Sequence, residues 1–254
     1  MTGRGRGGAG KRGGKGGAGK GGSAKSGGKG SSLHVSVQRT PTIRLKRKKG
    51  RTNSQQRWLQ RQLNDPFVIE ARRRGLRSRA AFKLMELNER FDLLKPGARV
   101  VDLGAAPGGW SQVSADIVGP KGSIVGIDLL PIDPIEGVVF IEGDFLDPGV
   151  PDHLVRELGG AADLVLSDMA ASSSGHAGTD HLKIIALAET AFYFATTVLT
   201  PGGAFVAKVL QGGTEQGLRT LLQKHFTKVV HAKPEASRKE SAEQYVVAIG
   251  FRVV

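Results

Sequence analysis

The sequence RVVDLGAAPGGW at residues 99–110 joins a short apolar run to a glycine-rich turn. The apolar run predicts a buried β-strand. The glycines at positions 104, 108 and 109 would let the turn approach a ligand with its backbone N–H groups, ahead of the N-terminus of a helix. A strand, a glycine turn and a helix in this order predict a ligand site at the carboxyl end of a parallel sheet.

The rest of the chain repeats this alternation of short apolar runs and helical stretches. Strands are predicted at residues 99–103, 123–127, 138–141, 163–167, 204–209, 228–232 and 245–254, with helices such as 110–118 and 182–199 between some of them. The pattern predicts an α/β fold with a Rossmann-like, doubly wound and mostly parallel sheet. The last two strands follow each other without a clear helix, which predicts an antiparallel C-terminal strand.

Positive charge is concentrated in the first third of the chain. Of 254 residues, 37 are Lys or Arg and 23 are Asp or Glu, yet residues 1–79 hold 22 of the basic residues and 2 of the acidic ones. Residues 1–50, rich in Gly, Lys and Arg, cannot bury enough apolar surface to fold. A disordered basic extension is predicted there, and a single domain over residues 51–254. The extension suits a polyanionic partner or serves only as a solubilising tail.

Composition excludes several classes of protein. The chain has no cysteine, which excludes disulfides, thiolate catalysis and Cys-ligated metal centres. The histidines show no ligand spacing, so no catalytic metal is expected. No stretch approaches the roughly 18 consecutive apolar residues of a membrane span. We expect a cytoplasmic monomer with no membrane partner.

Five arginines between positions 72 and 79 precede the predicted sheet. On a helix they would display planar guanidinium groups, which suit phosphates, so the domain is predicted to begin with a basic helical RNA-binding segment. Ser78 is the expected N-cap of the next helix, and Lys83 lies early in that helix.

Acidic residues end the second and third predicted strands. Asp128 could accept both hydroxyls of a ribose, and Asp144, followed by Phe145, could meet the amino edge and plane of an adenine. Ala106 replaces the second glycine of Gly-x-Gly-x-x-Gly, and no Gly-Lys-Ser/Thr follows, so pyrophosphate binding is disfavoured. A nucleoside without an obligatory phosphate, S-adenosylmethionine, fits best.

Asp168 ends the fourth strand, and Lys208 lies within the fifth. A lysine in an apolar central strand is seldom buried without a partner, and the ends of adjacent parallel strands meet, so the two side chains are predicted to be neighbours. A lysine amine there could accept or orient the proton of a hydroxyl. The prolines typical of amine methyltransferases are missing after Asp168, which favours an oxygen acceptor.

Four segments resemble the FtsJ/RrmJ (RlmE) family: SRAAFKL at 78–84, DLGAAPGGWSQ at 102–112, SDMA at 167–170 and the strand that holds Lys208. The resemblance covers roughly residues 55–254. It implies methylation of a ribose 2′-OH in RNA by S-adenosylmethionine, in bacterial members at a uridine of 23S rRNA in the large ribosomal subunit.

The resemblance also implies site residues. The family's catalytic tetrad maps onto Lys83, Asp168, Lys208 and Glu243, and its cofactor contacts map onto Gly108, Trp110, Asp128, Asp144 and Asp168. Residues 171–175 depart from the loop of many bacterial members, and residues 1–50 lie outside the family pattern.

Two other functions stay open at this point. The first is an NAD(P)-dependent oxidoreductase with a degenerate glycine loop, against which the missing glycine argues. The second is a non-catalytic RNA-binding factor of ribosome assembly on the same fold, against which the intact Asp168 and Lys208 argue.

Overall fold

The computed structural model describes residues 43–44, 50, 52–172, 174–212 and 215–253. The basic extension predicted over residues 1–50 lies almost wholly outside them. The helices of the described part are α1 (Asn53–Asn64), α2 (Pro66–Arg73), α3 (Ala80–Phe91), α4 (Gly109–Val118), α5 (Val150–Leu158), α6 (Ala177–Val198) and α7 (Glu215–His225). None of these helices combines the length and the hydropathy needed to cross a bilayer.

The strands form one sheet in the order β3-β2-β1-β4-β5-β7-β6. They are β1 (Arg99–Leu103), β2 (Ser123–Asp128), β3 (Val138–Glu142), β4 (Ala162–Ser167), β5 (Leu199–Leu210), β6 (Phe226–Ala232) and β7 (Glu243–Phe251). Strands β1 to β5 pair in parallel, and β7 lies antiparallel between β5 and β6. The predicted fold class, with its antiparallel C-terminal strand, is confirmed.

The sheet has an apolar core on each face. Successive residues of a strand point to opposite faces, so Val100 and Val101 of β1 join different clusters, although both are fully buried. One cluster centres on Phe192 and Phe205, and the other includes Trp110 and packs under α3 and α4. Coverage of both faces explains why the central strands are continuously apolar.

The N-terminal helices begin at capping side chains, with one departure from prediction. Thr52 and Gln55 form a capping box at α1, and Asp65 caps α2 by accepting the N–H of Phe67 at 3.0 Å. The predicted cap Ser78 is wrong, because α3 starts at Ala80 and the flanking Arg79 makes no side-chain cap bond. The Ser78 hydroxyl is instead packed against Gly109 at the start of α4.

Several arginines before α3, which the sequence suggested as phosphate ligands, bind groups of the protein itself. Arg73 and Arg74 both contact the carboxylate of Glu70, and Arg79 pairs with Asp65. Arg77 donates to three backbone carbonyls, at 3.3 Å to Pro107 and at 2.5 and 2.7 Å to residues 133 and 134. Arg77 thus ties the glycine turn to the loop at residues 133 and 134, whereas Arg72, Arg73 and Arg74 stay exposed. The RNA-binding role of this segment stays a prediction.

Candidate active site

Lys208 and Asp168 form an ion pair at the carboxyl end of the sheet. Lys208 Nζ lies 2.8 Å from Asp168 Oδ1 and donates a 2.7 Å hydrogen bond to the backbone carbonyl of the same residue. The two side chains are 11% and 18% exposed. Because β4 and β5 are adjacent and parallel, the structure brings together the residues that the sequence predicted to be neighbours.

Lys83 and Glu243 form a second ion pair, with 2.6 Å between Nζ and Oε1. Lys83 comes from α3 and Glu243 begins β7, and Ser237 donates a 3.0 Å hydrogen bond to the same Oε1. Burial alone would raise the pKa of Glu243. The charges of Lys83 and Lys208 outweigh burial and hold that pKa below its ordinary value, so the carboxylate is ionised at neutral pH.

Tyr245 joins the two ion pairs. Its hydroxyl donates to Asp168 Oδ1 at 2.8 Å and accepts from Lys83 Nζ at 3.1 Å, with Glu243 Oε1 at 3.4 Å. Lys208, Asp168, Tyr245, Lys83 and Glu243 thus form one continuous chain of contacts, which we call the polar chain. The four residues of the implied tetrad all belong to it.

The sequence analysis missed Tyr245. One signal could have found it, because Glu243 and Tyr245 are two apart on β7 and so project from the same face of the sheet. Tyr245 is also the register partner of Lys208 across β5 and β7. Burial, followed by the nearby charges of Asp168 and Glu243, raises the pKa of Tyr245 well above its ordinary value. The hydroxyl therefore keeps its proton at physiological pH.

Trp110 lies behind the polar chain. The centroid of its ring is 5.4 Å from that of Tyr245, its side chain is buried, and its indole N–H donates a 2.8 Å hydrogen bond to the carbonyl of Ala80.

Gly108, in the turn before α4, has a φ of +98°, and a Cβ at this position would lie 2.9 Å from Arg77 Nη1. Gly108 and Trp110 are not among the described residues that line the cleft below, so their predicted cofactor contacts stay predictions.

A cleft of about 490 Å³ opens beside the polar chain, at the carboxyl ends of β1 to β4. Its lining includes Gly104, Asp128, Asp144 and Met169. Gly104 is required there, because a Cβ would come within 2.8 Å of the Met169 backbone. Apolar side chains form much of the remaining wall, and none of the described lining residues is Lys or Arg. This lining suits a nucleoside without a phosphate better than a dinucleotide.

Asp128 is fixed by backbone N–H groups. Its Oδ2 accepts from Ala106 at 2.9 Å and its Oδ1 from Leu130 at 3.0 Å, which ties the glycine turn after β1 to the end of β2. Each carboxylate oxygen keeps further acceptor capacity for a ligand hydroxyl.

Asp144 is held in a similar way, since its Oδ1 accepts from the N–H of Leu146 at 2.9 Å. The neighbouring Phe145 also lines the cleft, but it is only 6% exposed and its ring packs edge-on against Phe194. Little of its aromatic face is therefore available to an adenine.

Asp102 of β1 is a buried carboxyl group that the sequence analysis did not assign. Its Oδ2 accepts a 2.6 Å hydrogen bond from Ser111, and Oδ1 has no partner among the described residues. Burial raises the pKa of Asp102 to about 7, and the negative charges of Asp168 and Asp128 act in the same direction. The Asp102 carboxyl group therefore gains or loses its proton near neutral pH.

Comparisons with known proteins agree with this geometry. The sequence profile of the FtsJ-like methyltransferase family matches residues 76–251. A relative named ribosomal RNA large subunit methyltransferase E, from Paramagnetospirillum magneticum, is 60% identical over 219 residues, which cover 84% of this chain and 90% of the relative. A relative of the same name from Xanthobacter autotrophicus is 59% identical over 213 residues, which cover 83% and 84%.

A solved structure shows the same architecture. The crystal structure of a protein described as a ribosomal RNA methyltransferase from Plasmodium falciparum superposes with a TM-score of 0.62 at 31% identity, covering 69% of this chain and 98% of that one. Sheet order, cleft and relatives together define an S-adenosylmethionine-dependent methyltransferase. Within that class, the chain belongs to the FtsJ-like methyltransferase family.

Proposed function

We propose that this protein methylates the ribose 2′-OH of a uridine in the 23S RNA of the large ribosomal subunit. The observation that carries the proposal is the polar chain, which holds a lysine and a carboxylate with little exposure; its Asp168 immediately precedes Met169, a lining residue of the cleft. Support for ribosomal RNA as the substrate comes from the names of relatives 55 to 60% identical to this chain.

Asp128 and Asp144 are the residues best placed to hold S-adenosylmethionine, through its ribose hydroxyls and its adenine amino group. The cleft fits such a ligand, because it combines two carboxylates with apolar walls and carries no Lys or Arg among its described lining residues. Gly108, Trp110 and Asp168 are proposed as further contacts on the strength of the family resemblance. When bound, S-adenosylmethionine supplies a methyl group that its sulfonium has already activated.

Lys208 is proposed to act on the acceptor hydroxyl. Its nitrogen is held by two hydrogen bonds to Asp168, so it has a fixed position from which the ammonium can orient the 2′-oxygen. It can accept the hydroxyl proton only after it has released one of its own protons to solvent. Asp168 is held in turn by Tyr245. Because the methyl group is already activated, positioning of the hydroxyl accounts for most of the acceleration.

Lys83 and Glu243 complete the electrostatics of the site. Their ion pair lies at the far end of the polar chain from Lys208, and Lys83 donates to the oxygen of Tyr245. This donation polarises the tyrosine hydroxyl toward Asp168, which keeps the carboxylate oriented toward Lys208. We propose that Lys83 and Glu243 tune the site without receiving the substrate proton.

The test is methyl transfer from labelled S-adenosylmethionine to large ribosomal subunits from cells that lack this protein. The product is mapped by mass spectrometry of RNA fragments, and alkali is used to locate the modified ribose, since a 2′-O-methyl group protects the adjacent phosphodiester. A single methylated uridine in 23S RNA is the expected result. Methylation of a base would contradict the proposed acceptor.

Methyl transfer and a calorimetric titration together separate the competing functions. A non-catalytic assembly factor would bind the subunit and transfer no methyl group. A nicotinamide-dependent oxidoreductase would bind NAD(P) more tightly than S-adenosylmethionine in a calorimetric titration. None of the described residues that line the cleft is Lys or Arg, which speaks against a site for the phosphates of NAD(P).

A further inference from the structure

Arg77, on the connection between α2 and α3, binds two separate segments at the carboxyl end of the sheet. Its guanidinium group donates a 3.3 Å hydrogen bond to the carbonyl of Pro107 in the glycine turn after β1. It also donates at 2.5 Å to the carbonyl of Asp133 and at 2.7 Å to that of Pro134, in the loop at residues 129–137 that joins β2 to β3. One side chain therefore holds the β2–β3 loop against the glycine turn.

The β2–β3 loop contributes to the wall of the cofactor cleft. It follows Asp128 directly, and its residue Leu129 lines the cleft. The carboxylate of Asp128 accepts the N–H of Leu130 at 3.0 Å and that of Ala106, in the glycine turn, at 2.9 Å. The orientation of Asp128 thus depends on the position of the loop relative to the turn.

Burial contributes little to the position of the β2–β3 loop. None of residues 129–137 is buried, and the side chains of Leu129 and Leu130 are 66% and 63% exposed. A segment with so few buried apolar contacts opens easily unless hydrogen bonds hold it. The contacts from Arg77 are such bonds.

The loop, the arginine and the turn meet at Gly108. A Cβ at this position would lie 2.9 Å from Arg77 Nη1 and 3.3 Å from Ile132 Cγ2 of the β2–β3 loop. A side chain at position 108 would therefore push the arginine and the loop away from the turn. This close approach explains the need for glycine at position 108 without any contact to a ligand.

The backbone of Arg77 is itself fixed by the helix that follows the glycine turn. Its N–H donates a 3.0 Å hydrogen bond to Gln112 Oε1, and Gln112 Nε2 donates at 3.1 Å to the carbonyl of Gly75. Gln112 belongs to α4, and its own N–H donates at 2.9 Å to the carbonyl of Gly108. The guanidinium group therefore starts from a support that is already tied to the glycine turn.

We propose that Arg77 is a positioning residue for the methyl donor, which keeps Asp128 and Leu129 in the orientation that binds the nucleoside. The inference rests on the proposed role of Asp128 toward the ribose of S-adenosylmethionine. Arg77 is not among the described residues that line the cleft, so it acts through the β2–β3 loop and the glycine turn. Its loss should lower the affinity for the donor and leave the transfer step unchanged, because no residue of this loop belongs to the polar chain.

The test compares the wild-type chain with Arg77→Gln and Arg77→Lys. Calorimetry gives the Kd for S-adenosylmethionine and for S-adenosylhomocysteine, which share the nucleoside, and methylation of large subunits gives KM and kcat. In Arg77→Gln both Kd values and the KM for the donor should rise by about tenfold, while kcat at saturating donor stays within about twofold of wild type. Arg77→Lys should recover little, because an ammonium cannot reproduce the planar set of N–H donors.

Hydrogen exchange of the protein without ligand supplies a second, local measurement. The amides of Ala106 and Leu130, which donate to Asp128, should exchange faster in Arg77→Gln than in wild type. Arg156→Gln is the matched control, because it removes the same charge from an exposed position on α5 and should change neither exchange nor Kd. If Arg77→Gln does not fold, Arg77→Lys carries the test with the same expected rise in Kd.

Three results would overturn the proposal. One is an unchanged Kd in a folded Arg77→Gln variant, and another is an equal rise in Arg156→Gln. The third is a large loss of kcat at saturating donor with unchanged Kd, which would place Arg77 in the transfer step. Failure of the wild-type chain to bind S-adenosylmethionine would instead contradict the proposed function, so the two failures are distinguishable.

Discussion

The hydroxyl of Tyr245 donates a 2.8 Å hydrogen bond to Asp168, although the strand β5 separates their two strands in the sheet. The tyrosine reaches across its own register partner, Lys208, to the carboxylate that Lys208 also binds. One buried side chain therefore connects the antiparallel end of the sheet with its parallel centre. The proposed catalytic pair depends on this connection for its orientation but not for its charge.

Tyr245→Phe should lower the free energy of unfolding and should slow methyl transfer only modestly. The substitution removes the hydroxyl that partners two buried charged groups, which costs about 1 to 3 kcal/mol in the free energy of unfolding. Both ion pairs persist, so single-turnover methylation should fall by no more than about tenfold. Denaturant unfolding and rapid-quench kinetics measure the two effects. A loss of more than about a hundredfold would show that the hydroxyl itself takes part in proton transfer.

Lys208→Ala should abolish transfer while cofactor affinity stays nearly intact. A residue that orients or deprotonates the acceptor contributes about 10²- to 10⁴-fold in rate. Single-turnover methylation of large subunits measures the loss, and calorimetry with S-adenosylmethionine measures the affinity. Lys228→Ala is the control, because it removes an exposed lysine from β6. Near wild-type methylation by Lys208→Ala would make this lysine a structural residue.

Asp128→Ala should weaken binding of S-adenosylmethionine. Loss of charge-assisted hydrogen bonds to the ribose costs about 1 to 3 kcal/mol, or about 5- to 150-fold in Kd by calorimetry. Asp116→Ala, on the exposed side of α4, should bind normally. Since Asp128 also accepts the N–H of Ala106, the melting temperature without cofactor must be compared. Unchanged affinity in a folded variant would exclude the ribose assignment.

Asp102 should make stability depend on pH. Its pKa is about 7 in the folded protein and lies near the ordinary 3.8 in the unfolded chain. Between these values unfolding releases a proton, so the free energy of unfolding falls as pH rises and levels off above about pH 7. At about 1.4 kcal/mol per pH unit, the decrease from pH 5 to pH 7 is on the order of 2 kcal/mol.

The variant Asp102→Asn, which cannot ionise, isolates this effect. Urea unfolding without cofactor at pH 5, 6, 7 and 8 should show a weaker decline in the variant than in the wild type. The exposed Asp116→Asn should keep the wild-type decline. Parallel curves for Asp102→Asn and wild type would mean that Asp102 ionises normally in the folded protein.

Deletion of residues 1–50 should weaken RNA binding broadly and reduce its dependence on salt. The segment carries 14 basic residues and no acidic one, so its removal reduces the number of counterions released on binding. Affinities for a 23S fragment and for an unrelated RNA should fall together, whereas the melting temperature should stay unchanged. An unaltered salt slope would favour the solubilising tail over an RNA contact.

The agreement between predicted and observed structural elements differs along the chain. The apolar runs predict β1 to β4 to within one residue at each end. For β1, β2 and β4 the reason is that a parallel strand covered on both faces is apolar along most of its length, whereas the edge strand β3 is partly exposed. Strand β5 starts at Leu199, five residues earlier than predicted, since Pro201 and Gly202 obscured the strand pattern. The predicted cap Ser78 failed because the hydroxyl is packed against Gly109, a contact between distant parts of the chain.

The sequence by itself determined the sheet, the glycine turn after β1 and the aspartates at or just after the ends of β2, β3 and β4, because these depend on local periodicity and on strand order. Only the tertiary structure decided how Lys83, Tyr245 and Glu243 meet, and which arginines bind the protein's own carbonyl and carboxylate groups. Both outcomes depend on contacts between residues up to 162 positions apart, such as Lys83 with Tyr245. Local patterns cannot encode the distance between such side chains, since packing of α3 against β7 sets that distance.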